Sequence, residues 1–203
     1  MAKSPSLSPR KQPGQKRSAH TVESILEAAA RILESQGLVA CTTNAVAQKA
    51  GVSIGSLYQY FPNRDALTAA LIERETAQLL HDVEQASQRD TALQRITGMV
   101  QAAVAHQLRR PDLARVIDFE ERRLPMDERH QRVAMLIQSV LVEALSLPEM
   151  QPPISDIDTV ADDVLAIVRG MIDAAGERGE LDAQSLERRV MRAVLGYLQR
   201  DLL

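Results

Sequence analysis

From Thr21 onward the chain alternates between apolar stripes at helical spacing and short breaks made of Gly, Pro or a capping residue. Ile25, Ala29, Ile32 and Leu33 recur three and four residues apart. That spacing predicts a helix from an N-cap at about Thr21 to Gln36, with Gly37 as its stop. A second helix spans about Thr42 to Ala50 and buries Val46, Ala47 and Ala50. Gly51-Val52-Ser53 forms a turn, Ser53 caps a short third helix that reaches Tyr60 or Phe61, and Pro62 ends it. Asn63 caps a long fourth helix, about 63–86, with Asp65 in its first turn, where negative charge is favoured. Five more helices are expected, at about Thr91–Arg109, Pro111–Arg123, Met126–Leu147, Asp158–Arg178 and Asp182–Leu202. Pro111, Pro125, Pro152-Pro153 and Gly179 punctuate them. No β-branched alternation interrupts the series. The pattern is all-α, with about nine helices.

The first twenty residues differ from the rest. "MAKSPSLSPRKQPGQKRSA" is rich in Pro, Ser and cations and has no apolar period, which predicts a disordered basic arm. The expected organisation is an arm at 1–20, a first domain at 21–66 and a larger helical domain at 67–203. The fourth helix links the last two.

Charge sharpens this division. Net charge over the 203 residues is only −3, and the shares of apolar (45%) and charged (25%) residues are those of a soluble globular protein. Met1 to Arg74, however, holds nine Lys or Arg against five Asp or Glu, and the remainder fifteen against twenty-two. A basic front with an acidic rear points to a polyanionic partner at one end only. Cys41 is the only cysteine, so no intramolecular disulfide can form, and a reducing compartment fits. With Val39 close by, an inert buried thiol is the plain reading and an oxidation sensor the alternative. No stretch has a signal peptide's apolar centre or the length to cross a bilayer, so the expected location is cytoplasmic, with no membrane partner.

The second and third helices, joined by three residues that include Gly51, match the spacing of a helix-turn-helix. Gly51 supplies a backbone conformation that strains other residues. Ala47 and Ala50 let the helices approach, while Val52, Leu57 and Phe61 point inward. The opposite side of the short helix carries Ile54, Gly55, Ser56, Gln59 and Tyr60, small or hydrogen-bonding groups suited to a major groove. Tyr58 and Tyr60 place hydroxyls at its edge, where phosphate oxygens would lie, and Arg64 with the start of the fourth helix makes a second anion site.

Over about Thr21 to Leu71 the chain resembles the DNA-binding region of the tetracycline-repressor family of transcriptional regulators. The matching elements are Gly37, Thr42-Thr43, Val46-Ala47, Ala50-Gly51-Val52-Ser53, Gly55, Leu57-Tyr58, Phe61, and Arg64-Asp65 followed by Leu67. The resemblance implies a dimeric repressor of a double-stranded DNA operator, with a three-helix DNA-binding domain and a larger helical domain for ligand binding and dimerisation. By position it assigns phosphate contacts to Thr42, Ser53, Tyr58, Tyr60 and Arg64, with Thr43 beside them. It brings Asn44, Ile54, Gly55 and Ser56 to base edges, with Gln59 at the margin. Tyr60 stands where the family often has His. Asn44 stands where some members have Arg, and favours adenine over guanine. For the arm two readings stand: phosphate or minor-groove contacts through Arg10, Lys11, Lys16 and Arg17, or a solvated tail.

The last two helices carry more apolar surface than one packing face needs. Val164, Val168 and Met171 form part of one stripe, and Val190, Val194 and Leu198 part of another. One stripe can pack within the chain and the other calls for a partner. In the resembled family these helices form an intermolecular four-helix bundle, so these six residues are the expected homodimer interface. The seventh helix is apolar nearly all round, which predicts a segment surrounded by others. In the family that helix and its neighbours enclose a small-molecule effector. The candidate lining is Met99, Ala103, His106, Phe119, Met135, Ser139, Val142 and Met171, and each of these also serves as a core filler.

"DFEERRLPMDERH", with charges of both signs, reads as a solvated loop with surface ion pairs. Two rival functions stand beside a ligand-responsive regulator. A ligand-independent DNA-binding protein needs the same front and a filled rear. A helical-bundle enzyme needs more than the single approximate Asp127-x-x-His130 pair with Glu120-Glu121, because a di-iron bundle takes two Glu-x-x-His pairs and two further glutamates. No phosphate loop, catalytic triad signature or zinc spacing occurs, so neither catalysis, a metal nor a cofactor is expected.

Overall fold

The computed structural model describes residues 16–124, 128–150 and 154–199. Nine α-helices and no strand occur among them: α1 (Lys16–Ala40), α2 (Thr43–Ala50), α3 (Ile54–Tyr60), α4 (Arg64–Ser87), α5 (Ala92–Arg109), α6 (Pro111–Arg123), α7 (Glu128–Leu145), α8 (Ile157–Glu177) and α9 (Ala183–Leu198). Arg10, Lys11, Asp127 and Leu202, and the side chains of Lys16, Arg17 and His130, lie outside the described residues.

Helix ends follow local chemistry. Thr42, Ser53, Asn63, Asp156 and Asp182 each accept a backbone N–H from the first turn of the helix they precede. At α5 the cap is reciprocal: Thr91 accepts from Gln94 N, and the Gln94 side chain accepts from Thr91 N. The Glu149 carboxylate takes the adjacent Ala92 N–H at 2.5 Å.

Two boundaries differ from expectation. α1 is already helical at Lys16, ahead of the cap expected at Thr21. It also winds on to Ala40, but Gly37 departs from helical geometry at φ 75° and ψ −175°, so the predicted stop is a kink.

The described residues form two compact units, one drawn from Met1–Glu75 and Val116–Pro125, the other from Thr76–Arg115 and Met126–Leu203. α4 therefore starts in the first unit and ends in the second, and α6 runs the other way. The end of α6 within the first unit is a departure from a simple boundary after residue 66.

In the first unit α1 packs on α2, and α2 on α3. The predicted stripe Ile25, Ala29, Ile32 and Leu33 is buried together with Val46, Ala47, Leu57, Phe61, Leu67 and Leu71. Each large side chain in such a core contributes about 1.5–3 kcal/mol. In the second unit α5 packs against α7, α8 and α9, and α8 against α7 and α9. Ile96, Val100, Val104, Leu141, Leu145, Ile172 and Leu186 fill its core. Ala144, Ala161 and Ala175, all fully buried, let the helix backbones close on one another.

Candidate nucleic-acid interface

α2 and α3 are set by a three-residue turn whose key residue is Gly51. It sits at φ 69° and ψ 28°, in the left-handed region, and its N–H returns to Ala47 O and Gln48 O. The Val52 N–H also returns to Ala47 O, at 3.0 Å. This closure throws the chain sharply round, and Leu57 and Phe61, one turn apart and buried to 0% and 1%, pin α3 down by one side. A seven-residue helix held this way has one free side. Ile54, Gly55, Tyr58 and Gln59 are exposed on it, with Ser56 and Tyr60 half-buried at its borders.

The hydroxyls around this face are already organised. Thr42 Oγ1 accepts from Ala45 N at 3.2 Å, which leaves its O–H as a donor toward solvent. Ser53 Oγ accepts from Ser56 N at 3.0 Å and shares a hydrogen bond with Ser56 Oγ at 2.8 Å. Tyr58 Oη pairs with Thr43 Oγ1 at 3.1 Å across α2 and α3, fixing the tyrosine ring at the edge of the face. Asn44, on the first turn of α2, is exposed. Together these groups offer a rim of donors around an open, shallow helix.

Arg64 is arranged differently. It is half-buried, donates from Nη2 to Leu38 O at 3.2 Å, and its buried Nε has no hydrogen-bond partner. Its guanidinium braces the end of α1 instead of projecting to solvent. Cys41 lies nearby, 5% exposed, with Sγ 4.0 Å from Ala29 O. Burial pushes its thiol above the ordinary range, with Arg64 opposing and Glu120 adding to the rise, so the thiolate needed for redox sensing is disfavoured.

Glu120 is a correction to the sequence reading. It is not part of a solvated loop but lies on α6, fully buried in the first unit beside Ile117 and Leu124. Arg123 holds it, with Nε 3.1 Å from both carboxylate oxygens and Nη2 2.8 Å from Oε2. Arg123 Nη2 also donates at 2.5 Å to Asp65 in the first turn of α4. The two carboxylates hold the Arg123 proton more tightly than usual. A visible signal existed: Leu113, Ile117, Glu120 and Leu124 keep helical spacing, so Glu120 stands on a buried stripe.

This geometry agrees with the comparisons. Residues 25–71 match the family model for bacterial regulatory proteins of the tetR family, and residues 93–198 match that for the tetracyclin repressor-like C-terminal domain. The chain belongs to the tetracycline-repressor family. It is thus a DNA-binding regulator of the family that the quoted motifs resembled, not an enzyme. Relatives include the nucleoid occlusion factor SlmA of Vibrio vulnificus, 32% identical over 131 residues, covering 60% of this chain and 66% of that protein. SlmA of Vibrio atlanticus is 30% identical over 137 residues, covering 63% and 69%. The match spans about two thirds of the length of these relatives. Among solved structures the fold is shared with the transcriptional regulator FadR of Bacillus subtilis in complex with stearoyl-CoA, at 17% identity and TM-score 0.73 over 86% of this chain and 98% of that one. It is shared too with a TetR transcription regulator of Haloarcula marismortui, at 18% identity and TM-score 0.73 over 89% and 97%.

The remaining candidates of this tetracycline-repressor-family chain fall into groups. Met99 is buried in the second unit's core, where Ala103, Val142 and Met171 pack against it, and His106 is half-buried. Phe119 is 57% exposed and lies on the stretch of α6 that belongs to the first unit. Met135 is 56% exposed and Ser139 is exposed, its hydroxyl turned back to Leu136 O at 2.8 Å. α7 is therefore not enclosed on all sides within the chain. Of the six residues expected at a dimer interface, three turn inward. Val164, Val190 and Val194 are buried at 1%, 0% and 0% in the chain's own core, and Val168, Met171 and Leu198 pack partly against it. Spacing revealed two apolar stripes, but only packing decides which one turns inward. The outer side of α8 and α9 carries Ala166, Gly170, Gly196 and Tyr197. Among the described residues, no three His, Cys, Asp or Glu side chains form a metal set, and no helix is long and apolar enough to cross a membrane.

Proposed function

We propose that this chain is a cytoplasmic, homodimeric repressor that binds a palindromic operator and is released by a small hydrophobic or amphipathic molecule. The observation that carries the reading is the free face of α3, where Ile54, Gly55, Tyr58 and Gln59 are exposed while Leu57 and Phe61 are buried. Ile54, Gly55, Ser56 and Asn44 approach base edges. Thr42, Thr43, Ser53, Tyr58, Tyr60 and, after turning outward, Arg64 hold phosphates. Two copies must present their α3 helices about 34–36 Å apart to reach successive major grooves.

Dimer formation through the outer side of α8 and α9 is supported by Gly170 and Gly196, where an added Cβ would meet nothing within 4 Å, so another helix can come close. Ligand response is supported by the apolar, methionine-bearing core of the second unit. A fold neighbour crystallised with stearoyl-CoA supports an amphipathic ligand class. Because α4 and α6 each belong to both units, a ligand preferring one conformation of the second unit shifts the population competent for DNA. Such release requires differential affinity for the two states. A second reading has support of its own: the SlmA relatives are named nucleoid occlusion factors, which favours a DNA-binding protein without an effector.

Selection from random duplexes with the full chain tests the proposal. The expected product is a palindrome bound by two copies, with affinity lowered by apolar effectors in a screen. A monomer that enriches no palindrome overturns it, and a palindrome insensitive to every effector favours the second reading.

A further inference from the structure

The inward stripe of α5 runs Ile96, Val100, Val104, and the next position on it is Gln107. Gln107 is 4% exposed, and its Nε2 is buried with no hydrogen-bond partner. Opposite it on α8 lies Gly176, itself buried, where a Cβ would come within 2.4 Å of that nitrogen. An amide donor in hydrocarbon and a glycine inside a helix are each unfavourable alone. Here they coincide: the glycine makes the space that the amide occupies. Of the residues within a turn of the pair, Val104, Ile172 and Ala175 are buried and apolar, while His106, next to Gln107 on α5, is half-buried.

We propose that Gln107 is the polar anchor of a ligand site in the α5–α8 core, donating from Nε2 to the carbonyl oxygen of an otherwise apolar molecule such as an ester, ketone or lactone. The inference rests on the ligand-responsive reading above and names its ligand class. A neutral acceptor suits the place, because a carboxylate would be desolvated among these side chains. Gly176 lets the amide sit at this depth of the core, and the apolar neighbours take the hydrocarbon part.

The test compares full-length wild type with Gln107→Met, which keeps side-chain length and removes the donor. Without ligand, the variant's melting temperature should rise by roughly 2–4 °C, since an unpartnered donor has been replaced by hydrocarbon. Methyl octanoate should stabilise the wild type, and its apparent Kd should weaken about tenfold in the variant. Gly176→Ala, which crowds the amide, should weaken the ester as well. A lower melting temperature for Gln107→Met, no stabilisation of the wild type by the ester, or equal ester binding in all three proteins overturns the assignment. An effector that releases wild type and Gln107→Met from the operator equally sinks the anchor but leaves the repressor reading intact. Operator binding that no apolar molecule alters sinks the repressor reading itself.

Discussion

Arg123→Ala leaves Glu120 fully buried without its guanidinium partner, which supplies the three contacts at 3.1, 3.1 and 2.8 Å. Breaking a buried pair by removing one partner typically costs about 3–5 kcal/mol, and an exposed pair less than about 1. Here one partner is at 1% side-chain exposure and the other at 42%, so water reaches the cation and the lower side applies. A loss of about 2–3 kcal/mol is expected. Glu120→Gln in the Arg123→Ala background removes the uncompensated charge and should recover most of it, for a coupling of about 1.5–2 kcal/mol. Urea unfolding is the assay. With no tryptophan in the chain, tyrosine fluorescence in a Tyr197→Phe background reports on Tyr58 and Tyr60, both in the first unit. Single and double changes that add within about 0.5 kcal/mol would refute the claim that Arg123 is what makes the buried carboxylate tolerable.

Gly51→Ala should destabilise the first unit by about 1–2 kcal/mol, purely through its left-handed backbone, since the new Cβ meets no atom within 4 Å. Gly55→Ala is the contrast: its Cβ would lie 3.8 Å from Ser53 Oγ, so urea stability should hold within about 0.5 kcal/mol while operator affinity falls in a gel-shift titration. Arg64→Ala should lower the slope of log K against log salt by about 0.9, the share of one phosphate contact. An unchanged slope assigns Arg64 solely to bracing Leu38.

Most of the local structure was legible in the sequence because its causes are local. Thr42, Ser53, Asn63 and Thr91 announce helix starts by carrying a side-chain oxygen where a helix has unpaired N–H groups. Gly51 announces the turn because its left-handed backbone suits glycine. The division of Leu57 and Phe61 from the open face of α3 follows from helical period alone. The candidate interface on α2 and α3 is therefore legible from local sequence.

What depended on tertiary structure was direction. The apolar stripes of α8 and α9 offer two faces each, and only packing against α5 and α7 turned Val164, Val190 and Val194 inward. Glu120 and Gln107 look like ordinary polar residues of amphipathic helices until neighbouring helices remove the water around them. Arg64 resembles a free cation until Leu38 O comes within its reach. Sequence by itself determined where the helices begin, end and turn, because capping and backbone strain act within a few residues. The fold alone decided which side chains lose solvent, because burial is created by segments distant along the chain.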